Sequence, residues 1–279
     1  MNNPRTWLVT GCSTGFGRYI AEHLLKQGER VVVTARKTEY VEDLARLGEA
    51  LVLPLDVTDP QQARDVVAAS ERVFGAVDVL VNNAGIGYFA AVEETDPRAA
   101  RRLLEVNLFG TAGMIHAVLP GMRQRRRGTI VNLTSIGGLA GFPAVGYYCA
   151  SKFAVEGLSD ALRGEVEPLG IRVMTVEPSA FRTEWAGSAD EVREPIDDYD
   201  ATAGAARRAY HASVGQQEGD PARAAAAIYA AVNAEQPPQR LLLGNRAFEV
   251  AMAKLSAMQT EFRAWEATAR GADFPDPDR

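Results

Sequence analysis

A tyrosine and a lysine four residues apart form the group with the clearest chemistry in this chain. Tyr148 and Lys152 belong to the hexapeptide YYCASK at 147–152, which opens a segment with helical character. Residues four apart share one face of a helix, so the ammonium lies near the phenol. A neighbouring cation favours phenolate and lowers the tyrosine pKa from about 10 toward neutral pH. The pair therefore predicts a general acid or base, and an amphipathic surface turn is the alternative.

A glycine-rich turn near residue 11 supplies a second chemical signal. Gly11, Gly15 and Gly17 lie between a short apolar run at 6–10 and a helical pattern that continues through Lys26. Glycines let the backbone approach a ligand closely, and the helix that follows directs its N–H groups at an anion. The spacing G-x-x-x-G-x-G differs from the commoner G-x-G-x-x-G fingerprint. The turn predicts binding of a dinucleotide pyrophosphate, and close helix–sheet packing alone is the alternative.

Apolar runs alternate with helical patterns along most of the chain, so these side chains have a scaffold. The predicted strands are 6–10, 31–33, 51–55, 77–81, 129–133, 171–176 and 241–243. The predicted helices between them include 39–47, 60–74, 97–125 and 145–169, with Asp59-Pro60 and Asp96-Pro97 as helix starts. Apolar runs without alternation are typical of strands covered on both faces. The pattern predicts an α/β fold with a doubly wound parallel sheet and right-handed crossovers.

The last third of the chain departs from this alternation. The segment 186–218 is polar and has few strand signals, which predicts a long irregular excursion that acts as a substrate lid. A helix at 220–234 and another at 245–269 follow, before a frayed tail at 274–279. The second helix carries an apolar stripe, predicted to pack on the sheet or a partner subunit: Phe248, Met252, Leu255, Met258, Phe262 and Trp265. No interdomain linker is evident, so 1–279 is predicted to form one domain.

Composition narrows the class of function. The chain has 279 residues, 47% of them hydrophobic, and a formal charge of −6, which argues against a general nucleic-acid binder. The one dense basic run, 123–127, is interpreted as a solvated helix end before a turn at Gly128. No apolar run approaches the ~20 residues that cross a bilayer, so no membrane association is predicted.

Cysteine and histidine usage adds two further expectations. The two cysteines, Cys12 and Cys149, and the absence of a secretory signal predict a reducing, cytoplasmic location. Cys149 is interpreted as a buried, unreactive thiol, because nothing marks it as a thiolate. The three histidines lack ligand spacing, so no metal site is predicted.

Three motifs in order give the chain a family resemblance. The sequences TGCSTGFG at 10–17, NNAG at 82–85 and Y-x-x-x-K at 148–152 resemble the short-chain dehydrogenase/reductase family. The similarity extends from about Thr6 to Leu243. The glycine turn and the segment 177–183 resemble the branch of hydroxysteroid- and retinol-dehydrogenase-like enzymes. The resemblance implies a single Rossmann-type domain with nicotinamide chemistry.

The family resemblance also implies a catalytic set, which comprises Asn107, Ser135, Tyr148 and Lys152. Ser135, thirteen positions before Tyr148, corresponds to the serine that binds the substrate oxygen. Tyr148 corresponds to the acid or base, and Lys152 to the residue that lowers the tyrosine pKa and binds the nicotinamide ribose. Asn107 corresponds to the residue that supports a proton-relay water. Thr134 and Ser151 are nearby hydroxyls, but the thirteen-residue offset favours Ser135.

Cofactor binding is expected along the edge of the sheet that follows the strands. The residues assigned to it are Gly11, Ser13, Thr14, Gly15, Phe16, Gly17, Arg36, Asp56, Val57, Asn83, Ala84, Gly85, Tyr148, Lys152, Pro178, Phe181 and Thr183. An NAD-preferring site usually has a carboxylate after the second strand, whereas this chain has Arg36, which suits a 2′-phosphate. NADP(H) is therefore predicted, with NAD(H) as the alternative cofactor. Ser179 stands where the family has a glycine. Because a Cβ disfavours positive φ, this serine does not favour the turn geometry that the family glycine allows.

The substrate pocket is expected beside the catalytic set. Its predicted residues are Phe89, Gly137, Phe142, Tyr147 and Trp185. Phe181, Trp185 and Tyr199 would add apolar surface to the lid, or simply anchor it. The predicted enzyme interconverts a ketone or aldehyde and the corresponding alcohol, on a bulky hydrophobic small molecule.

Two other functions and an assembly complete the sequence-based expectations. An epimerase or dehydratase with a retained cofactor and a non-catalytic dinucleotide-binding regulator are the alternatives to the oxidoreductase. A homo-oligomer, dimer or tetramer, is expected through the long helices that begin near Pro97 and Val145.

Overall fold

A parallel seven-stranded sheet forms the centre of the molecule. We describe residues 4–274 of a computed structural model. The strands of the sheet are β1 (Thr6–Val9), β2 (Arg30–Ala35), β3 (Ala50–Pro54), β4 (Val79–Asn82), β6 (Gly128–Leu133), β7 (Ile171–Pro178) and β9 (Arg240–Leu243). A separate two-stranded ladder pairs β5 (Tyr88–Phe89) with β8 (Asp190–Glu191). The order β3-β2-β1-β4-β6-β7-β9, parallel throughout, confirms the predicted doubly wound, Rossmann-type fold.

Successive side chains of the central strands pack into two different apolar cores. Leu8 pairs in register with Val32 on one side and with Leu80 on the other, and all three belong to the core on one face. Trp7 and Val9 point to the core on the opposite face. Because both faces are buried, the strands are continuous apolar runs.

Helices cover both faces of the sheet. Their bounds are α1 (Gly15–Lys26), α2 (Pro60–Phe74), α3 (Pro97–Leu104), α4 (Thr111–Arg125), α5 (Gly146–Val166), α6 (Trp185–Ser188), α7 (Ala205–Ala212), α8 (Pro221–Asn233), α9 (Asn245–Ala264) and α10 (Glu266–Arg270). The Asp59 side chain accepts hydrogen bonds from the N–H groups of residues 61 and 62, and Asp96 accepts one from Arg98. These bonds satisfy first-turn donors and confirm both predicted helix starts.

Several predicted helices are interrupted. Residues 39–47 form two 3₁₀ turns, Thr38–Tyr40 and Glu42–Arg46, instead of an α-helix. The predicted helix 97–125 contains a π-helical turn, Glu105–Gly110, between α3 and α4. Such single π turns are frequent at functional sites, because the extra residue redirects a side chain.

The segment 186–218 is more regular than its composition predicted. It contains most of α6, the strand β8, a 3₁₀ turn at Asp197–Tyr199, a π turn at Asp200–Gly204, and α7. Local polar bonds stabilise it: Arg208 pairs with Asp200 at 2.5 Å, and the Ile196 N–H donates to Glu94 at 2.8 Å. The expectation of an irregular loop was wrong. Helical backbone hydrogen bonds form here without an apolar periodicity in the sequence, because polar side-chain pairs of this kind stabilise the segment.

Two sequence-based expectations about the 97–125 region are corrected. The helical stretch Pro97–Arg125 contains an 18-residue window with a mean hydropathy of 1.3, so by length and composition it could cross a bilayer, contrary to the prediction that no run approaches this limit. Its side chains Met114, Ile115 and Val118 nevertheless lie in the core beneath the sheet. Gly128 begins β6 instead of forming a turn.

The helix α9 does not cover the sheet, in contrast to one of the two predicted arrangements. Only Ala247 and Ala251 of α9 are buried, against a small cluster that includes Ile136 and Leu139. The rest of its apolar stripe faces outward. Phe274 is exposed, and the remainder of the predicted tail, 275–279, lies outside the described residues.

Candidate active site

The glycine turn is held in place by close backbone packing. Gly11 has φ +71°, and a Cβ there would lie 2.9 Å from the Ala84 Cα. A Cβ on Gly17 would lie 2.3 Å from the Gly11 carbonyl oxygen, a distance that no side chain tolerates. Glycine is therefore required at both positions for the strand, turn and helix to fit together.

Thr10 and Asn83 connect this turn to the NNAG segment. The Thr10 hydroxyl oxygen accepts hydrogen bonds from the N–H groups of Asn83 and Ala84, each at 3.0 Å. In return, the Asn83 side-chain amide donates to the carbonyl groups of Thr10 at 2.8 Å and Gly11 at 3.0 Å. These bonds fix the relative position of the two motifs. Thr10 begins the motif TGCSTGFG, but the sequence predicted no role for it.

A cavity lies at the N-terminus of α1. Its volume is about 390 Å³, and it is lined by Ser13, Thr14, Gly15, Arg18, Tyr19, Glu22 and Glu184. The side chain of Thr14, the residue that caps α1, makes no capping bond. The first-turn N–H groups are thus not satisfied by that side chain, which leaves donors of the kind that bind phosphate. The predicted turn residues and the cavity coincide, and a Cβ on Gly15 would be 3.5 Å from that of Thr183.

Two arginines near the glycine turn, Arg18 and Arg36, differ in their ion-pair partners. Arg18 forms ion pairs with Glu22 at 3.2 Å and with Asp43. Arg36, at the end of β2, is exposed and forms no ion pair within residues 4–274. The pKa of the Asp56 carboxyl is lowered mainly by a backbone hydrogen bond from Thr58, and the Arg36 charge contributes. Arg36 therefore lies close enough to this carboxylate to affect it electrostatically.

Val57 has a packing contact in addition to its predicted role beside the cofactor. A Cβ on Gly110 would lie 2.7 Å from the Val57 Cγ2, so Val57 fills the space above the π turn. Asp56 accepts hydrogen bonds from the Thr58 hydroxyl at 2.7 Å and from the Thr58 N–H at 3.0 Å. This turn thus orders the residues that follow β3.

The segment after β7 avoids the backbone strain that the sequence suggested. Ser179 does not have positive φ; within residues 4–274 the only non-glycine residues that do are Arg126 and Ala144. The Ser179 N–H instead donates to the Leu243 carbonyl at 3.0 Å, and the positive φ of +93° falls on Gly244. Pro178, the last residue of β7, is buried.

Phe181 is placed differently from its predicted position in a lid. It is 9% exposed, and its ring centroid lies 5.0 Å from that of Phe16. Both aromatic rings belong to the core between the sheet and α1. A lid surface made of Phe181 is therefore excluded in this structure.

The two hydroxyl residues that follow β6, Thr134 and Ser135, have different partners. Thr134 is buried, and its hydroxyl donates to Glu156 at 2.5 Å and to the Val176 carbonyl at 3.0 Å. The Ser135 hydroxyl oxygen accepts from the Gly137 N–H at 3.0 Å, and a Cβ on Gly137 would lie 3.4 Å from the Ser135 Oγ and 3.5 Å from the Tyr148 Cε1. Ser135, and not Thr134, therefore shares a site with Tyr148.

Tyr148 and Lys152 lie together, but their electrostatics differ from the expectation. The Lys152 Nζ is 5.7 Å from the centroid of the Tyr148 ring and donates to the Leu133 carbonyl at 2.8 Å. Burial raises the pKa of Tyr148, and this effect exceeds the opposing bond to Ser135. The tyrosine pKa is thus raised and not lowered as predicted, because desolvation of the phenolate outweighs the effects that favour it.

Lys152 is itself deeply buried. Its side chain is 6% exposed, and burial lowers its pKa to about 8, while the negative charge of Glu156 opposes that shift. A Cβ on Gly85 would lie 3.7 Å from the Lys152 Nζ and 3.3 Å from the Asn107 Oδ1. The NNAG segment, the lysine and the asparagine thus converge at one point.

Asn107 is fixed by the π turn. Its Oδ1 accepts from the Ile86 N–H at 2.8 Å, and its Nδ2 donates to the Ile86 carbonyl at 3.0 Å and to the Ser151 hydroxyl at 3.1 Å. The Ser151 hydroxyl donates onward to the Tyr148 carbonyl at 2.7 Å. Ser151 therefore connects Asn107 to the backbone of Tyr148 and is not a second catalytic serine by position.

Aromatic side chains enclose Tyr148. The Trp185 ring lies 4.8 Å from the Tyr148 ring and 5.8 Å from that of Phe89, which is fully buried. Tyr210, which sequence reasoning missed, stacks on Phe89 with centroids 5.1 Å apart. Phe142 packs in the same cluster, whereas Tyr147 does not belong to it. Three of the five predicted pocket residues, Phe89, Phe142 and Trp185, therefore belong to this cluster, and Phe89 supports its wall from behind.

Gly137 and Cys149 form the floor of this cluster. A Cβ on Gly137 would lie 3.3 Å from the Cys149 Sγ and 3.4 Å from the Ser135 Oγ. Burial raises the pKa of the Cys149 thiol, which keeps the group protonated and agrees with the expectation of an inert thiol. No sequence motif marks Tyr210 as part of this cluster, so the sequence could have indicated it only through its position on the helix α7.

A buried pair of carboxyl groups lies behind Lys152. Glu156 and Glu177 are 5% and 0% exposed, and Arg240 pairs with Glu156 at 3.4 Å. Burial and the neighbouring Glu156 raise the pKa of Glu177 to about 7, while a bond from the Thr175 hydroxyl opposes the shift. The raised pKa of Glu177 therefore follows from burial beside a second carboxyl group, and the negative charge of Glu156 is the one that acts on Lys152.

Comparison with known proteins shows the family to which this chain belongs. The family model described as short chain dehydrogenase matches residues 5–194. The chain therefore belongs to the short-chain dehydrogenase/reductase family, a class of oxidoreductases, as its motifs indicated.

Three relatives illustrate the similarity. A short-chain dehydrogenase from Streptomyces avermitilis is 42% identical, with a TM-score of 0.91 over 98% of this chain and 100% of that one. A Burkholderia cenocepacia short chain dehydrogenase in complex with NADP is 25% identical, with a TM-score of 0.75 over 94% and 97% of the two chains. A 3-ketodihydrosphingosine reductase from Bacteroides thetaiotaomicron is 43% identical over 180 residues, which are 64% of this chain and 65% of that protein.

The raised pKa of Glu177 predicts a pH dependence of stability. A carboxyl group whose pKa is raised on folding binds more protons in the folded state, so stability falls as pH rises from about 4.5 to about 7. Glu177→Gln removes this titration and should reduce the loss of unfolding free energy between pH 5 and pH 8 by on the order of 1–3 kcal/mol. Denaturant unfolding at both pH values measures the difference.

The matched control for this prediction is Glu165→Gln, which changes an exposed carboxyl group on α5. Its pH dependence should follow that of the unmodified protein. An unchanged pH dependence in Glu177→Gln would show that Glu177 is ionised at neutral pH in the folded state.

Proposed function

We propose that the protein is an NADP(H)-dependent oxidoreductase that interconverts a ketone or aldehyde and the corresponding alcohol. The observation that carries this proposal is the meeting of Ser135, Tyr148 and Lys152 at the ends of the strands, beside the glycine turn. A hydroxyl pair facing an apolar cluster can bind a carbonyl oxygen and donate a proton to it.

Tyr148 acts as the acid in the direction of reduction. Its raised pKa keeps the phenol protonated at neutral pH, which is the form that donates to an oxygen on which negative charge develops. Ser135 orients the same oxygen with a second hydrogen bond. Lys152 places a positive charge beneath the phenol, where it stabilises the phenolate that remains after proton transfer.

The cofactor would be held by the glycine turn and the strand ends. The N–H groups at the start of α1 and the hydroxyls of Ser13 and Thr14 suit the pyrophosphate, and Thr183 lies across the turn. When bound, the nicotinamide supplies the hydride. Asp56 and Val57 would flank the adenine, and Asn83, Ala84 and Gly85 would support the adenosine side, while Lys152 reaches the ribose from the other end.

Arg36 supports the preference for NADP(H). It is exposed at the end of β2 and has no ion-pair partner within the described residues, unlike Arg18. A guanidinium in this position can form charge-assisted hydrogen bonds to a 2′-phosphate. The relative from Burkholderia cenocepacia is in complex with NADP.

The apolar character of the pocket supports a hydrophobic substrate. Trp185, Phe142 and Tyr210 are the partly buried members of the wall around Tyr148, and the fully buried Phe89 fixes their positions. The name of the Bacteroides thetaiotaomicron relative contains a keto compound as its substrate. The segment 186–218 closes over this wall as the substrate lid, with α6 and α7 as its contacts.

Two exposed aromatic residues support a homo-oligomer through the long helices. Phe109, in the π turn, is 58% exposed, and Phe153, on α5, is 44% exposed. Large aromatic side chains are enriched at protein interfaces. The surfaces that begin near Pro97 and Val145 would thus associate between copies.

The proposed role of Tyr148 predicts a large and specific loss. Tyr148→Phe keeps the ring but removes the acid, so kcat should fall about 10²- to 10⁴-fold. Binding of NADPH, measured by fluorescence titration, should be unchanged. Tyr147→Phe removes the adjacent hydroxyl, which lies about 100° away on the helix, and should leave turnover close to normal. Near-normal activity in Tyr148→Phe would overturn the assignment.

The cofactor preference is tested at Arg36. Arg36→Asp removes a charge-assisted hydrogen bond, typically about 1.5–3 kcal/mol, so kcat/KM with NADPH should fall about ten- to hundredfold more than with NADH. Arg72→Asp changes an exposed arginine at the end of α2 and serves as the control. Equal losses with both cofactors, or a higher kcat/KM with NADH in the unmodified protein, would contradict the NADP(H) assignment.

Cofactor turnover separates the proposed reaction from the two alternatives. Net consumption of NADPH with ketones and aldehydes, followed by absorbance, supports the oxidoreductase. Product formation without net consumption supports an epimerase or dehydratase. Binding of NADPH without turnover of any substrate supports a regulator.

A further inference from the structure

An exposed apolar stripe runs along α9. Five large side chains along α9 and directly after it are each at least 50% exposed: Phe248, Met252, Leu255, Phe262 and, one residue past the helix end, Trp265. Within the described residues no other element covers them, and the first part of the helix packs on the body of the protein through Ala247, Ala251 and the partly buried Val250. Contiguous apolar surface of this kind marks an interaction site in a folded protein.

The spacing of the stripe indicates the kind of partner. Phe248, Met252, Leu255, Gln259 and Phe262 follow one another at alternating steps of four and three residues. This is the a/d pattern of a helix that packs along a second helix, with Gln259 as the polar seam position. The α9 helix has 20 residues, so it is about 30 Å long and offers almost three heptads.

The charges on α9 do not favour a membrane surface. A helix that lies on an anionic bilayer carries mostly lysine and arginine on its polar face. The charged residues of α9 are instead mixed in sign: Arg246, Glu249, Lys254, Glu261 and Arg263. The face therefore suits a helix with complementary charges of its own.

We propose that α9 docks against α9 of a second copy of this chain, in antiparallel orientation. In this register Met252 packs against Phe262 of the second copy, and Leu255 against its Gln259. The two-fold symmetry repeats each contact, so four layers form from one surface patch.

Charge complementarity selects the antiparallel orientation. Glu249 and Arg263 flank the seam at equivalent heptad positions and form no ion pair within residues 4–274, whereas Arg270 pairs with Glu266 at 2.7 Å. Antiparallel pairing places Glu249 and Arg263 of the second copy on the same flank of the seam, two residues apart in level, twice per dimer. In a parallel pair the residues opposite these two would be Gly244 and Met258, which are uncharged.

A hollow between α9 and α10 fits the same register. It has a volume of about 560 Å³ and is lined by Leu255, Met258, Gln259, Phe262, Arg263, Glu266, Ala269 and Arg270. Phe248 of the second copy lies level with Glu266 in this arrangement, at the entrance of the hollow. A large aromatic side chain in such a hollow is the usual anchor of an interface.

Charge reversal tests this pairing directly. Glu249→Arg and Arg263→Glu each place like charges together twice, so each should raise the dissociation constant of the α9 pairing about tenfold or more. The double variant restores the pairs and should return to within about threefold of the unmodified protein. Sedimentation velocity over a range of protein concentrations gives the mass, and the full-length chain is used throughout.

Glu261→Arg is the matched control, because it reverses an exposed charge on α9 away from the seam. It should leave assembly unchanged, and catalytic turnover should be normal in all four variants. An equal mass for the unmodified protein and Glu249→Arg, or failure of the double variant to recover, would overturn the proposal. So would sedimentation of the protein with phosphatidylserine vesicles at unchanged mass, which would assign the stripe to a membrane.

Discussion

The burial of the Lys152 ammonium is the constraint on which the site depends. A buried cation is unfavourable unless polar groups surround it. Here the Leu133 carbonyl accepts its hydrogen bond, and the Glu156 carboxylate opposes the loss of its charge. Glu156 is in turn connected to Thr134 and Arg240. Polar contacts therefore join the lysine to β6, β7 and β9. The side chains around Lys152 are held in place by the rigid sheet.

A second set of contacts organises the side of the sheet where the cofactor would bind. Thr10 and Asn83 exchange hydrogen bonds between the ends of β1 and β4, which are neighbours in the sheet. Asn107 performs the equivalent function for α5, because it joins the backbone at Ile86 to Ser151. The glycine turn, the NNAG segment and the tyrosine helix are thus positioned by amide side chains with no spare donors, which leaves the phenol and the serine hydroxyl available for chemistry.

The sequence predicted the fold closely, and the physical reason is the buried parallel sheet. Strands covered on both faces must be apolar throughout, so the ends of runs such as 31–33 and 129–133 could be located to within two residues. The motifs also brought Ser135, Tyr148, Lys152 and Asn107 to one place. The spacing of the motifs could not show that desolvation raises the pKa of Tyr148. The burial of Tyr148 depends on Trp185 and Tyr210, which lie on helices distant from it in the sequence. Likewise, the 3₁₀ turns at 38–46 and the π turn at 105–110 depend on tertiary contacts and have no local signal.

Phe142 gives the C-terminal helix a place in the architecture of the pocket. Its ring packs both with the aromatic cluster around Tyr148 and with the cluster formed by Ile136, Ala247 and Ala251. One wall of this aromatic cluster therefore rests on α9, beyond the last strand of the sheet. A shortened chain that ended at β9 would retain every catalytic side chain and still lose the support of that wall. The boundary of the catalytic unit thus lies past residue 251, further along the chain than the family motifs alone delimit.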